Sequence, residues 1–306
     1  MSDTPAAAAQ ALRRGGLVIL PTETVYGLAA DAANPRAVAA VFEAKGRPRF
    51  NPLIAHVADL AAAQVIAVLD DRALALARAF WPGPLTLVAP LKDPAAVCDL
   101  ARAGLDTIAV RAPSHPMALA VLKAFGAPVV APSANRSGRP SPTTFADAFE
   151  ETGFAAEAAL DGGPCAVGLE SAVVAVLDGP VRLLRAGGIT RAEIEAVVGP
   201  LAEAEAAARR SPGRMALHYA PEAAVRLEAA APRPGEAFLA FGAAPVATPF
   251  NLSPSGNLRE AAANFFAFLR AADRTRPTAI AVASIPNHGL GEAINDRLKR
   301  AAGFVG

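Results

Sequence analysis

The chain is poor in the residues that build metal sites and covalent scaffolds. Its 306 residues include two cysteines, Cys98 and Cys165, and four histidines. Neither cysteine belongs to a Cys-x-x-Cys pair, which sets aside a structural zinc site and a disulfide framework. Charge of one sign is missing too. Lys and Arg number 29 against 28 Asp and Glu, a net +1. No global field draws the chain to nucleic acid, so any such contact has to be a local patch. Aromatic residues make up 6%, which argues against a broad base-stacking surface. No run approaches the length of a membrane span. The N-terminal MSDTPAAAAQALRR lacks an apolar core of signal-peptide length and reads as a capped amphipathic helix. A cytoplasmic protein is expected. The usual nucleotide and hydrolase signatures, GxxxxGK[ST], a strand-linked GxGxxG and GxSxG, are also missing.

Hydrophobic residues make up 53% and charged residues 19%, which suits a packed core and not disorder. Much of the apolar content is Ala, a helix former that buries little area. The length favours two domains. Apolar runs at 17–20, 53–57, 85–89, 107–111, 129–131, 171–177 and 181–185 read as strands. Helical patterns cover 6–14, 35–45, 70–80, 116–125, 143–152 and 191–198, the last opened by a Thr190–Glu193 capping box. This alternation implies an α/β domain with a twisted, mixed sheet. After Gly199-Pro200 the pattern changes. Residues 201–210 are polar-Ala helix or linker, and the Pro- and Gly-bounded segment 211–221 reads as an ordered loop between domains. A smaller α/β unit follows, with strands near 237–240 and 279–284 and helices near 258–272 and 291–302. The expected division is 1–200, a linker or lid at 201–223, and 224–306.

Several clusters carry polar chemistry, each with a plainer reading beside it. Lys45 ends a helix, Gly46 sits at its C′ position and Arg47 precedes Pro48. The two cations could clamp phosphate or carboxylate oxygens, or simply complement the helix dipole, which local signals slightly favour. Pro132-Ser133-Ala134-Asn135 follows an apolar strand, where α/β sheets bind ligands. Ser141 or Thr143 could equally cap the next helix. Thr107 and Arg111 share one face of a strand. An Arg closing an apolar strand wants a carboxylate, and a protein carboxylate is favoured over a substrate's. His56, in an apolar strand, is more often a core residue than a catalyst. Glu170-Ser171 opening one strand and Arg185 closing another are weak signals alone.

Together these pieces resemble the YrdC-like family of L-threonylcarbamoyladenylate synthases in its longer, two-domain form. The shared segments are PTETVYGL (21–28), FEAKGRPRFNPL (42–53), WPGPLT (81–86), the Arg111 strand end, APSANRSGRPSPT (131–143), GLESAVV (168–174), LLRAGGI (183–189) and the SPG…HYAP linker (211–221). NLSPSGNLREAAANFFAFLR and GLGEAINDRL follow in the second domain. The resemblance implies a twisted sheet around a deep positive cavity, then a small three-layer α/β domain. It implies that L-threonine, bicarbonate and ATP give threonylcarbamoyl-AMP and pyrophosphate. The product would feed a downstream threonylcarbamoyl transferase that modifies the adenosine beside the tRNA anticodon. No stable nucleic-acid or membrane contact is implied.

Three anionic substrates in one pocket need cations, and Lys45, Arg47, Arg111 and Arg185 supply four. By the family's pattern, ATP falls to Arg47, Asn51, Thr107, Ser133, Ser141, Arg185 and Tyr219. L-threonine falls to Thr24, His56, Arg111, Ser171 and the backbone of Ala131. Lys45, Arg47, Ser133 and Asn135 form the catalytic set, with Lys45 and Asn135 facing phosphate or carbamate. Mg²⁺ is implied through the ATP phosphates, with no metal held by side chains. Residues 20–56 then form one wall of the pocket. In place of the family's basic and aromatic residues, the linker has Arg214-Met215-Ala216-Leu217 before HYAP. Three other readings remain: a non-catalytic RNA-binding module, a carbamoyl transferase of metalloenzyme maturation, and a regulator that has lost activity. The second needs Cys-rich zinc segments, which are missing, and the intact Lys45, Arg47, Ser133 and Asn135 set argues against the third.

Overall fold

Residue types at the helix ends set where the chain turns helical. A computed structural model gives the chain's structure and describes residues 3–203 and 218–303. Helix α1 (Pro5–Arg13) starts at Thr4, whose hydroxyl accepts the Ala7 N–H at 3.2 Å. Asn34 caps α2 (Pro35–Lys45), and Gly46 ends it in the left-handed conformation, φ 58°, where a Cβ is costly. Helices α3 (Leu60–Ile66) and α4 (Asp71–Phe80) are capped by Asp59 and Asp70. The short α5 (Asp99–Arg102) is followed by α6 (Pro116–Phe125), α7 (Phe145–Thr152) and α8 (Arg191–Val198), the last with both halves of its Thr190–Glu193 capping box formed.

The strands are β1 (Leu17–Leu20), β2 (Gly27–Asp31), β3 (Ile54–His56), β4 (Leu85–Pro90), β5 (Thr107–Arg111), β6 (Val129–Val130), β7 (Ala156–Ala159), β8 (Ala172–Ala175), β9 (Arg182–Arg185) and β10 (Ala202–Glu203). They form one mixed sheet in the order β10-β9-β8-β4-β5-β3-β6-β2-β1-β7. Parallel pairs (β3–β5, β4–β8) alternate with antiparallel ones (β4–β5, β3–β6). This is the mixed α/β architecture expected. Strands β2 and β7 were not expected, and their sequences, GLAAD and AEAA, explain it. Ala favours helix in isolation. Here β1 lies between them with all four residues buried, so small side chains fit its flanks.

The second unit holds β11 (Val225–Arg226), β12 (Ala237–Leu239), α9 (Leu258–Arg274), β13 (Ile280–Val282) and α10 (Leu290–Ala301), its sheet ordered β11-β13-β12 and parallel. Leu239, Ile280 and Val282 face α9 and α10 in one apolar cluster. Phe238, Ala240 and Ala281 face the other way, where loop residues Ala229 and Ala244 cover them. Among the described residues no helix joins that cluster, so loop residues form the layer on that side of the sheet. The small Ala side chains there leave little area for a helix to bury. No helix among the described residues is long and apolar enough to cross a membrane.

The two units meet over a wide contact. Val25 and Leu169 of the first pack into the apolar cluster of the second, beside Tyr219, Phe265 and Phe266. Arg270 of α9 pairs with Glu151 of α7 at 3.1 Å, and both are buried. Gly168 (φ 72°) allows the approach, since a Cβ there would lie 2.4 Å from the Ala262 carbonyl oxygen in α9. Of the expected helix or linker at 201–210, Ala202–Glu203 instead pairs with β9 as β10, and residues 204–217 lie outside the described residues.

Candidate functional site

Parallel pairing of β3 and β5 sets His56 opposite Arg111. Arg111 is buried and held by three residues at once. Its Nε donates to the Gly83 carbonyl at 3.1 Å and a terminal nitrogen to the Thr24 hydroxyl at 2.9 Å. The other terminal nitrogen lies 2.7 Å from the Glu23 carboxylate. The expected protein carboxylate is thus Glu23, itself buried. Burial opposes ionisation of Glu23, but Arg111 outweighs it and holds the carboxyl below its ordinary value of 4.5. Thr22 fixes the turn, its hydroxyl donating to the Val25 carbonyl at 2.6 Å and lying 2.8 Å from the Thr24 hydroxyl. His56 is pushed down to about 3 by burial and the nearby Arg111 charge, so its ring is neutral at pH 7.

Across the cavity, Ser171 precedes β8 and Arg185 ends β9. Arg185 donates to the Ser171 carbonyl at 2.9 Å and to its hydroxyl at 3.2 Å. The Ser171 hydroxyl also lies 2.7 Å from that of Thr86. Beside it, Glu170 accepts from the Ser141 hydroxyl at 2.6 Å and from Arg297 of α10 at 3.1 Å. Burial favours the neutral acid, yet Arg297 and Arg185 hold Glu170 below its ordinary range.

The third wall is the loop after β6. Lys45, buried at the end of α2, donates to the carbonyls of Ser133 and Asn135. Burial, with Arg47 nearby, pulls its ammonium well below the usual lysine value. The Asn135 amide nitrogen donates to the Arg136 and Arg139 carbonyls at 2.8 and 2.9 Å, while its Oδ1 is buried without a partner. Arg47 folds over the next turn, donating to the Pro52 carbonyl at 3.2 Å. Burial pulls its guanidinium down to about 10, so it stays charged at neutral pH.

One cavity joins these walls. Of the positions singled out in the sequence it is lined by Thr24, Arg47, His56, Arg111, Ala131, Ser133, Ser171, Arg185 and Tyr219. Lys45, Asn51, Thr107, Asn135 and Ser141 lie outside its lining. The nitrogens of Lys45 and Asn135, expected to face phosphate or carbamate, are bonded to loop carbonyls instead. Thr107 shares the strand face of Arg111 but sits four residues along, roughly 13 Å away. Glu170 and His218 line the cavity as well and were not singled out as site residues. Glu170 was visible only as a strand-opening acid, and His218 only as part of HYAP. Burial lowers His218 to about 3 and raises Tyr219 to about 12, so both are neutral.

The chain resembles known proteins over nearly its whole length. A family model described as "Telomere recombination" (Sua5–YciO–YrdC) matches residues 10–187, and one described as "Threonylcarbamoyl-AMP synthase, C-terminal domain" matches residues 189–303. A threonylcarbamoyl-AMP synthase of Bacillus subtilis is 38% identical over 321 residues, covering 97% of this chain and 92% of that one. The Pyrococcus abyssi threonylcarbamoyl-AMP synthase is 38% identical over 319 residues, covering 97% and 93%. The crystal structure of P. abyssi Sua5 complexed with L-threonine matches with a TM-score of 0.90 at 37% identity, over 98% of this chain and 94% of that one. The chain belongs to the Sua5–YciO–YrdC family, in the form that carries the threonylcarbamoyl-AMP synthase C-terminal domain.

Proposed function

We propose that the chain is a threonylcarbamoyl-AMP synthase, a nucleotidyltransferase that converts L-threonine, bicarbonate and ATP to threonylcarbamoyl-AMP and pyrophosphate. One observation carries the reading. Three guanidiniums, Arg47, Arg111 and Arg185, line a single cavity; Glu23 pairs with Arg111 from outside the lining, and Glu170, the one lining carboxylate among the described residues, is paired with Arg297. Such a cavity neutralises several anions held together. Near-full-length similarity to synthases from two organisms supports the same assignment.

The threonine end of the pocket is Thr24, His56, Arg111, Ser171 and the Ala131 backbone. Arg111, locked by Glu23 and Gly83, would take the carboxylate, and neutral His56 would bond without adding charge. The nucleotide end is Arg47, Ser133, Arg185 and Tyr219, with Asn51, Thr107 and Ser141 assigned to the parts of ATP beyond the lining. Lys45 and Asn135 act by shaping the loop that presents Ser133. In the first step the threonine nitrogen attacks the carbon of the one-carbon unit, giving a carbamate and releasing water. A carbamate oxygen then attacks the α-phosphorus, and pyrophosphate leaves. No side chain stands out as a strong base, so the work is positioning and charge neutralisation. Among the described residues no group of three or more His, Cys, Asp or Glu could hold a metal ion. Mg²⁺ would arrive with the substrate, on the ATP phosphates.

Tyr219 and His218 line the cavity from the second unit's side. They would move aside for entry and return over the mixed anhydride, excluding water. The linker, 201–223, joins a catalytic domain, 1–200, to a C-terminal domain, 224–306. The product would pass to a threonylcarbamoyl transferase acting on tRNA, with the enzyme working in the cytoplasm. Pyrophosphate release from Mg-ATP tests the function. Release should need both L-threonine and bicarbonate, and release indifferent to both omissions would overturn it.

A further inference from the structure

We propose that Arg297 of α10 is a positioning residue for the nucleotide half of the site, so that the C-terminal unit completes the active centre. This rests on the functional reading above. Arg297 is wholly buried, although its charge would ordinarily exclude it from a protein interior. Its Nε donates to Glu170 at 3.1 Å, and one terminal nitrogen donates to the Ala186 carbonyl at 2.7 Å and to Asp296 at 3.1 Å. Its guanidinium carbon lies 5.6 Å from the centroid of the Tyr219 ring, within range of a cation–π contact.

These contacts converge on one end of the cavity. Tyr219 is touched directly. Ser141 is reached through Glu170, whose other oxygen accepts the Ser141 hydroxyl at 2.6 Å. Ala186 is the residue after Arg185. Three of the seven proposed nucleotide contacts, Tyr219, Ser141 and Arg185, are thus tied to one guanidinium from the C-terminal unit. No hydrogen bond or ion pair joins Arg297 to Thr24, His56 or Arg111 among the contacts of that other end.

The chemistry explains the placement. Glu170 is a carboxylate in the wall of a cavity built for anions. Unpaired, it would repel a triphosphate or take up a proton and change its bond to Ser141. Arg297 cancels that charge from behind, on the side away from the ligand. A guanidinium suits the task because its fork bonds carboxylate and carbonyl together while its face stacks on a ring. Glu170 is then a device for orienting Ser141 that would harm ATP binding without its partner.

Steady-state kinetics of Arg297→Met, Arg297→Lys and the double variant Arg297→Met/Glu170→Gln test this, with wild type alongside. Arg297→Met should raise KM for ATP about tenfold or more, the loss of a buried charged hydrogen bond. KM for L-threonine should stay within about twofold. Glu170→Gln should recover much of the ATP defect of Arg297→Met, because it removes the unpaired charge. A merely structural arginine would not be rescued in this way. If Arg297→Met does not fold, Arg297→Lys, which keeps charge but loses the fork, should show the same selective rise in KM for ATP. Parallel rises in both KM values, an unchanged KM for ATP, or no rescue would overturn the proposal. Wild-type pyrophosphate release that ignores threonine would instead overturn the functional reading, independently of Arg297.

Discussion

Replacing Arg111 with Met should destabilise the large unit by an amount that depends on pH. The side chains of Arg111 and Glu23 are 4% and 9% exposed, and their charged groups are 2.7 Å apart. Truncation removes that ion pair and two further hydrogen bonds, to Gly83 and Thr24. Breaking a buried pair from one side costs about 3–5 kcal/mol, because the remaining charge is stranded. That is a large share of the roughly 5–15 kcal/mol that holds such folds together. The sign with pH follows from Glu23. In the wild type its folded pKa lies below 4.5, so the pair stabilises above that value and its contribution is lost as pH falls through the lower, folded one. In Arg111→Met burial acts without Arg111 and raises the folded pKa above 4.5. The stranded charge then destabilises at neutral pH, and protonation relieves it as pH falls. The gap between the two proteins should be widest at pH 7 and shrink towards pH 4. Urea unfolding followed by Trp81 fluorescence reports it locally, since Trp81 is the only tryptophan and its indole donates to the Leu85 carbonyl at 2.7 Å, in the turn carrying Gly83. A gap constant from pH 7 to 4, or an Arg111→Met/Glu23→Gln variant no more stable than Arg111→Met, would refute the reasoning.

His56, lowered to about 3, should stay neutral across pH 5–8, and NMR titration of its ring should show no protonation near 6.5. A transition there would contradict its burial beside Arg111. Tyr219→Ala should raise KM for ATP or speed hydrolysis of the product. Unchanged kinetics would count against Tyr219 as a cover for the nucleotide.

Much of the architecture was legible because end signals sit in the sequence itself. Asn34, Pro35 and Gly46 bound α2, and the Thr190–Glu193 pair opens α8. Strands β2 and β7 were hidden because their Ala residues favour helix until neighbouring strands bury them. The site shows the same division. Arg111 at an apolar strand's end announced a need for a carboxylate, and Glu23 meets it. Lys45 read locally as a helix-dipole charge, but its bonds reach carbonyls 88 and 90 residues downstream. Glu170 and Arg297, 127 residues apart, leave no trace in local periodicity, which reports only which face is buried.

The most direct test is the mass of the nucleotide product formed from ¹³C-bicarbonate, L-threonine and Mg-ATP. The structure of the site predicts an adduct of AMP and threonine joined through one labelled carbon. An adduct of AMP and threonine lacking that carbon, or no adduct at all, would contradict it.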